Sequence, residues 1–556
     1  MEALGIIGLL ACGILFIFVK GVLGERRKEK ELRARIHRSY GKEWEREYSD
    51  EELSGIPGFF NAHPGEGQID DITWNDLSMD EIFFQMNHTW SSAGQEYLYY
   101  ALHTPAMEED ALERAEEQIT WFASHERERE ELQLLYCRLG RSGKYSIYDY
   151  LMYLEKLKEK SSAGVILADV LLLLCAAAIP FAPSLGMIGL FVIMTINMFT
   201  YMKQKREAEP YLVSFAYVKR VLDFADRIRR VDIPVLKEEW SELELLAGRF
   251  GRFKGSAVLG MRGSTMAGDP LSILMDYVNM ILHLDLICFQ GMLREVKQHL
   301  SDLDRMVELL GRTEYHMAVA SWRESVEGWC VPVFTHTGEL EIQKLVHPLL
   351  REPVKNSIRS EKGVLVTGSN ASGKSTFLKA VAINALLAQT VHTCLADSYR
   401  GNLYRILSSM ALRDDLESGE SYYMVEIKAL KRILDAAEEG RAPVLCFVDE
   451  VLRGTNTVER IAASVQILKS LNRPGVRCFA ATHDIELTEL LKADYDNYHF
   501  EEQVREEDIF FNYVLMPGRA VTRNAIRLLK IIGYQDSIIR EADRMAARFL
   551  EKGEWS

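Results

Sequence analysis

The pattern of apolar and polar residues is most uneven in the first half of the chain. Ala3 to Gly24 is almost entirely apolar and has about the length that a membrane-spanning helix requires. A second apolar block, Val165 to Met202, is interrupted at Pro180 to Gly186, where prolines and a glycine favour a tight turn. We therefore predict a transmembrane anchor at 1–24 and a transmembrane hairpin at 165–202. A cleaved signal peptide and a buried helical pair of a soluble domain are the alternatives.

Basic residues lie next to both apolar blocks and predict their orientation. Lys and Arg collect on the cytoplasmic side of membrane helices. Here they follow the first block and flank both outer ends of the second: Arg26, Arg27, Lys28, Lys30, Arg33, Arg35, Lys156, Lys158, Lys160, Lys203, Lys205 and Arg206. We expect a multi-pass protein of the cell membrane whose C-terminal part is cytoplasmic. Asp169, near the start of the hairpin, is either a functional acid inside the membrane or a carboxylate that extends to the interface, and we expect the latter.

The spacing of apolar residues divides the rest of the chain into three segments. Residues 25–70 are charged and then rich in Gly and Pro, which indicates a juxtamembrane helix and a linker. Helical spacing dominates 71–339, and Pro270 to Gly311 predicts one long helix, either a lever between two sites or a member of an ordinary bundle. From 340 to 556, short β-branched runs alternate with helices, which is typical of an α/β domain with a mostly parallel sheet.

Charge and cysteine content limit the partners of the chain. The formal net charge is −15, so any nucleic-acid site must be a local basic patch. Eight cysteines are scattered without a CxxC pair, which indicates free thiols in a reducing compartment. We expect no disulfide framework and no zinc.

A glycine-rich loop between a strand and a helix is the strongest chemical signal. Gly368 to Ser375, "GSNASGKS", fits the pattern G-x-x-x-x-G-K-[ST], with "GVLVT" before it and "TFLKAVAINALLAQ" after it. In such a loop the backbone N–H groups surround phosphates, Lys374 reaches the β and γ phosphates, and the Ser375 hydroxyl binds Mg²⁺. The predicted nucleotide-binding residues are Gly368, Ser369, Asn370, Ala371, Ser372, Gly373, Lys374, Ser375 and Thr376.

Two later strands end in residues that suit the same site. "APVLCFVDEV" ends in Asp449 and Glu450, which suggests a ligand for Mg²⁺ and, next to it, a general base for the attacking water. "VRCFAATHD" ends at His483, whose imidazole would polarise the γ phosphate or serve a structural role. We predict Glu450 and His483 as catalytic residues, and Ser375 and Asp449 as metal ligands.

Four stretches of the C-terminal half occur in a characteristic order. They are "VTGSNASGKSTFLKAVA", "RDDLESGESYYMVEIKAL", "FVDEVLRGTNTVERIAAS" and "AATHDIEL". These stretches resemble motifs of the MutS mismatch-repair ATPases, over about Leu340 to Glu541. Weaker similarity to the helical core of that family begins at Leu77 to Pro105. The resemblance implies a P-loop ATPase domain of the ABC type that follows an all-α core or lever domain.

The resemblance also implies how the site is assembled. Members of the family work as dimers in which a signature segment completes the partner's nucleotide site, and Ser421 matches the serine of that segment. ATP and Mg²⁺ are the implied ligands, and DNA is an implied partner. Two departures stand out: the mismatch-recognition domain is not found before the core, and Val354 stands where the family often places an aromatic residue against adenine.

Two functional hypotheses follow. The first is a membrane-anchored MutS-like ATPase that hydrolyses ATP as a homodimer, binds DNA and is related to mismatch repair. The alternative is a nucleotide-gated membrane switch or scaffold that does not bind nucleic acid.

Overall fold

The computed structural model describes most of the chain. The described residues are 20, 23–24, 26–44, 46–143, 146–157, 159, 161–208, 211–260, 277–369, 372–410, 422–452, 456–505, 508–520, 526, 529 and 532–552. The predicted anchor therefore lies almost entirely outside them.

A helical N-terminal region precedes an α/β region with two mixed sheets. The labelled helices are α1 (Asp50–Gly55), α2 (Gly58–Ala62), α3 (Asp71–Asp76), α4 (Met79–Met86), α5 (Ser92–His103), α6 (Glu109–Ser124), α7 (Glu126–Leu139), α8 (Ile147–Lys156), α9 (Ala163–Ala178), α10 (Pro183–Ala208), α11 (Leu212–Ile228), α12 (Lys237–Gly248), α13 (Gly251–Gly260), α14 (Leu284–Gln298), α15 (Leu300–Ser325), α16 (Lys374–Thr390), α17 (Tyr422–Glu439), α18 (Thr457–Leu471), α19 (Ile485–Leu490) and α20 (Asp536–Lys552). Further helical runs cover 26–39 and 277–282. The strands are β1 (Val333–Phe334), β2 (Leu340–Leu345), β3 (Asn356–Ser360), β4 (Gly363–Thr367), β5 (Ser398–Gly401), β6 (Arg405–Ser409), β7 (Val444–Asp449), β8 (Val476–Thr482), β9 (Tyr495–Arg505) and β10 (Asp508–Pro517).

The chain divides into two compact units. The helical unit comprises Met1–Pro64, Asn87–Tyr100 and Glu117–Ser325, and the α/β unit comprises Gly65–Met86, Ala101–Glu116 and Val326–Ser556. Each unit has its own buried apolar core.

The long helix predicted over Pro270 to Gly311 is not continuous, and that prediction was wrong. Within its described part, the helix is interrupted at His283 and at His299. His283 has φ 49° and ψ 25°, the left-handed conformation, which costs a residue with a Cβ about 1–2 kcal/mol. Sequence periodicity could not show this, because the side-chain contacts that hold His283 come from residues far away in the chain.

The apolar hairpin forms two adjacent helices, α9 and α10. The predicted break at Pro180 to Gly186 is shorter in the structure, because Pro183 begins α10 at the one helical position where proline costs no hydrogen bond. Within the described residues, one helix, at Pro183–Arg206, is long and apolar enough to cross a membrane. Many large apolar side chains of the pair are exposed, with Phe181 at 90% and Leu185 at 76%.

Asp169 does not extend to the surface, contrary to our expectation. The residue is 9% exposed and its carboxylate accepts a hydrogen bond from Asn197 Nδ2 at 3.1 Å. Its burial is possible because the opposite helix and the break at His283 supply polar partners.

Two sheets form the frame of the α/β unit. The larger sheet has the order β10-β9-β4-β8-β7-β6, and it is parallel except for the β9–β10 pair. The smaller sheet has the order β1-β5-β2-β3 and contains both parallel and antiparallel pairs. Because β4, β7 and β8 are parallel neighbours, their carboxyl ends lie at one edge of the larger sheet, where ligands of open α/β sheets bind.

A segment from far upstream completes the edge strand β6. Asp76, at the end of α3, accepts hydrogen bonds from Ser408 Oγ at 2.6 Å and from Met410 N at 2.8 Å. Thr73 Oγ1 accepts from Ser408 N at 3.1 Å. These bonds satisfy backbone groups at the outer edge of the sheet, which would otherwise lack partners.

Candidate functional site

The loop after β4 has a backbone that glycine makes possible. β4 is buried along its whole length, and the chain then passes Gly368, with φ 151°, and Gly373, with φ 103°, before α16 begins at Lys374. A Cβ on Gly368 would lie 2.8 Å from Ser372 Oγ, and one on Gly373 would lie 3.2 Å from the Tyr513 ring. The loop therefore needs glycine for both conformation and space. It also presents the N-terminus of a 17-residue helix, where anions are stabilised.

Lys374 folds back over this loop. Its ammonium donates hydrogen bonds to the carbonyl oxygens of Gly368, at 3.0 Å, and Ser369, at 2.9 Å. The side chain is 5% exposed, and its positive charge therefore lies next to the loop and is poorly screened by solvent. The Ser369 hydroxyl donates to the carboxylate of Glu502.

The acidic pair lies directly beside the loop. Asp449 ends β7 and is 8% exposed. Glu450 has φ 59°, its N–H donates to Ala481 O at 2.9 Å, and its carboxylate lies 2.6 Å from His483 Nε2. The other ring nitrogen of His483 lies 2.9 Å from Gly368 O. Lys374, Glu450 and His483 thus form one connected set of contacts at the carboxyl edge of the sheet.

A buried glutamate on α17 supports the turn that follows the acidic pair. Leu452 also has φ 59°, and its N–H donates to Glu426 Oε1 at 2.6 Å. Glu426 is 3% exposed. Ser464 Oγ donates to Val451 O at 3.3 Å from the other side. Non-glycine residues with positive φ persist only where surrounding contacts hold them, and these bonds provide such contacts.

A cavity of about 810 Å³ joins these groups. Its polar end is lined by Ser372, Gly373, Lys374, Ser375, Thr376, Asp449, Glu450 and His483, and its other end by His347, Pro353, Val354, Phe377, Phe500 and Tyr513. Drug-sized and cofactor-sized ligands fill cavities of about 300–1,000 Å³ that combine apolar walls with a few polar groups.

Tyr513 is a cavity residue that the sequence analysis did not predict. It lies in the strand β10, at a shift of register between Phe511 and Leu515, and has φ 53°. Asn356 fixes the backbone there, because its Nδ2 donates to Tyr513 O at 3.0 Å and its Oδ1 accepts from Leu515 N at 2.8 Å. The phenol ring thereby reaches the cavity beside Val354, the position at which we noted that an aromatic residue is absent. The only signal in the sequence is the aromatic run "FFNY" in a strand.

His347 is an uncharged polar residue of the cavity wall. Burial, together with the nearby charge of Lys379, lowers the pKa of its imidazole to about 4. The ring is therefore neutral at physiological pH and contributes a polar but uncharged wall.

Comparison with known proteins agrees with this arrangement. The family profile described as MutS domain V matches residues 364–550. The DNA mismatch repair protein MutS of Aquifex pyrophilus is 31% identical over 268 residues, which cover 46% of this chain and 31% of that protein. The MutS proteins of Lactobacillus delbrueckii subsp. bulgaricus and Halothermothrix orenii are 28% and 30% identical over 48% and 40% of this chain, and over 32% and 26% of their own lengths.

The C-terminal half of this chain is MutS-like. The predicted family is thereby confirmed for that half, and the match spans about a third of the length of these MutS relatives. The MutS domain V profile begins on β4 and ends in α20, so it includes the glycine loop, the acidic pair and His483.

Three predicted site residues of the MutS-like half lie outside the described residues. Asn370 and Ala371 belong to the glycine loop, and Ser421 immediately precedes α17. The structure brings the other predicted residues into the loop and along the cavity, and their roles stay predictions.

Proposed function

We infer that the chain is an ATPase whose MutS-like half binds ATP with Mg²⁺ and hydrolyses it as a dimer. The observation that supports this most strongly is the convergence of Lys374, Asp449, Glu450 and His483 around one cavity behind a glycine loop. A lysine, a helix N-terminus and two acids in this arrangement match what phosphoryl transfer to water requires.

The residues of the cavity fit the ligands of this reaction. Ser375 and Asp449 would hold Mg²⁺, which prefers oxygen ligands. When bound, Mg²⁺ neutralises charge on the phosphate oxygens. Lys374 would exchange its present carbonyl partners for phosphate oxygens, and Tyr513 would contact the base at the apolar end of the cavity.

Glu450 is the proposed general base. One oxygen of its carboxylate lies 2.6 Å from His483 Nε2, and a carboxylate accepts several hydrogen bonds, so a water molecule can bind it beside the imidazole. His483 Nε2 would then face the γ phosphate, and it donates there only when both ring nitrogens carry a hydrogen, because Nδ1 lies at the carbonyl oxygen of Gly368. Ser421 of a second copy would add a donor from the opposite side of the nucleotide, as the family resemblance implies.

The defining experiment measures phosphate release by the full-length protein in lipid nanodiscs. Lys374→Ala should weaken nucleotide binding, whereas Lys355→Ala, which changes an exposed lysine near the cavity, should leave binding unchanged. Hydrolysis that is absent in the wild type, or equal in Lys374→Ala, would disprove an ATPase centred on this loop.

Dimeric action has its own test. If two half-sites combine, Lys374→Ala subunits mixed with Ser421→Ala subunits regain part of the activity, since one of the two composite sites then contains neither change. Recovery should scale with the fraction of mixed dimers. A monomer whose specific activity does not depend on concentration would contradict the proposal.

Membrane attachment is proposed on the exposed apolar surface of α9 and α10. The largest exposed apolar surfaces of soluble monomers rarely exceed a few hundred Å². With the basic flanks inside, the ATPase lies in the cytoplasm. Protease digestion of the α/β unit in right-side-out vesicles would overturn this topology.

DNA binding and a role related to mismatch repair are proposed from the MutS names of the relatives. The second candidate, a nucleotide-gated membrane switch without nucleic acid, is favoured by the apolar hairpin within the helical unit. Salt-dependent binding of duplex or branched DNA supports the first function. ATP hydrolysis without any DNA affinity supports the second.

A further inference from the structure

Three polar side chains meet inside the most apolar part of the helical unit. Asp169 is on α9, Asn197 is on α10, and His283 is at the break before α14. Their exposed fractions are 9%, 0% and 0%. The outer faces of the hairpin helices carry exposed leucines, isoleucines and phenylalanines. The three polar side chains are therefore buried within an otherwise apolar helical pair.

Hydrogen-bond contacts join the three side chains of this triad to one another. Asp169 Oδ1 lies 3.0 Å from His283 Nδ1 and 3.1 Å from Asn197 Nδ2. His283 Nε2 lies 3.1 Å from the backbone oxygen of Asn197. Asn197 Nδ2 also donates to Ile281 O at 2.9 Å, two residues before the histidine. The triad therefore connects both hairpin helices to the broken helix.

These contacts determine how many hydrogens the triad carries. A carbonyl oxygen only accepts, so His283 Nε2 must bear a hydrogen. The contact between Nδ1 and Oδ1 needs another hydrogen, on the ring or on the carboxyl group. Taken together as hydrogen bonds, the two contacts require one proton more than an ionised carboxylate beside a neutral ring.

We propose that Asp169, Asn197 and His283 form a proton-binding site inside the apolar helical hairpin. With the proton, the pair has no net charge and both ring nitrogens are bonded. Without it, a negative charge remains in an apolar environment and one ring nitrogen faces an oxygen with no hydrogen between them, which is strongly unfavourable. Loss of the proton therefore loosens the contact that holds the left-handed turn at His283.

The side-chain oxygen of Asn197 gives the proton a route for exchange with water. Asn197 Oδ1 is buried and has no hydrogen-bond partner within the described part of the chain. A buried acceptor of this kind usually bonds to a water molecule. A water bound there would lie on the same amide group that contacts Asp169.

Other titratable groups adjoin the triad through one ring contact, in which Tyr201 meets His283 edge to face with ring centroids 6.1 Å apart. Asp285 accepts a hydrogen bond from Tyr201 at 2.9 Å, and Lys205 donates to the same phenol oxygen at 3.0 Å. Cys288 lies one turn further along α14. Among the described residues of α9, Asp169 is the one charged side chain. Asp285 thus provides a matched control on the same segment as His283.

Nitrogen-15 and carbon-13 NMR of the full-length protein in nanodiscs tests the proposal at pH 7.5, where an ordinary imidazole of pKa about 6.5 is mostly neutral. A through-space correlation between the ring nitrogens and the Asp169 carboxyl carbon identifies the pair without any substitution. A doubly protonated ring beside an ionised carboxylate supports the site, and so does a neutral ring beside a protonated carboxyl group. A neutral ring beside an ionised Asp169 overturns it.

Substitutions separate a proton site from a merely packed histidine. In Asp169→Asn the amide can donate to Nδ1, so the ring should become neutral with its hydrogen on Nε2. Asp285→Asn, which reaches His283 only through the Tyr201 ring, should leave the hydrogens on both ring nitrogens as they are in the wild type. Equal shifts in both variants would overturn the assignment to Asp169. This measurement uses no nucleotide, so its outcome is independent of whether the protein hydrolyses ATP.

Discussion

Glu426 is predicted to set the position of the general base without touching the nucleotide. Its buried carboxylate accepts the N–H of Leu452 at 2.6 Å, in the turn that contains Glu450, and both turn residues have φ 59°. Glu426→Ala removes the acceptor and leaves a buried N–H unsatisfied. A hydrogen bond to a charged group contributes about 1.5–3 kcal/mol. If the transition state loses this stabilisation because the turn moves, kcat falls roughly 10- to 150-fold.

The assay must separate positioning from binding and from folding. Steady-state hydrolysis gives kcat and KM, a fluorescent nucleotide gives Kd, and thermal unfolding gives Tm. We expect a lower kcat with Kd nearly unchanged, because Glu426 does not line the cavity. Glu426→Gln keeps a neutral acceptor and should lose only about fivefold, for a difference of about 1 kcal/mol. Glu438→Ala, on the exposed end of the same helix, is the matched control.

Two outcomes would refute this argument. If Glu426→Ala retains the wild-type kcat, the turn keeps its shape without the carboxylate. If Kd rises in proportion to the loss of kcat/KM while kcat is constant, Glu426 supports nucleotide binding and not the base.

Four further predictions concern the cavity. Lys374→Ala should weaken ATP binding, measured with a fluorescent nucleotide, because it removes the charge at the loop. Glu450→Gln should bind ATP normally but hydrolyse it at least about 100-fold more slowly, because an amide accepts no proton. Tyr513→Ala should weaken ATP binding by about tenfold, and Tyr513→Phe should not, since stacking on a base contributes about 1–3 kcal/mol. Between pH 7.5 and pH 5 the unfolded chain protonates His347 while the folded chain, with a pKa of about 4, does not, so Tm should fall more in the wild type than in His347→Gln.

The sequence alone located the glycine loop, because a loop of this kind is continuous in the chain. The buried strands before Gly368, at Asp449 and before His483 were also predicted from their β-branched runs, and they occur in the structure as β4, β7 and β8. Their parallel order brings three distant positions to one edge. That order follows from the topology of alternating strands and helices.

The remaining features depend on contacts between distant residues. Tyr513 reaches the cavity because Asn356, more than 150 residues earlier, fixes the backbone at a register shift. His283 interrupts a helix because Asp169 and Asn197 bond to its ring. Neither case changes the local hydrophobic period, so periodicity predicts a regular element in both places.

Lys374, His483 and Glu450 share one set of contacts, and these contacts connect the two ends of the proposed reaction. The lysine ammonium donates to the carbonyl oxygen of Gly368, which also contacts one ring nitrogen of His483. The other ring nitrogen lies 2.6 Å from one carboxylate oxygen of Glu450. A phosphate that binds Lys374 therefore competes with Gly368 O for the ammonium and changes the partners of His483. Because the imidazole also contacts the proposed base, nucleotide binding is coupled through His483 to the orientation of Glu450.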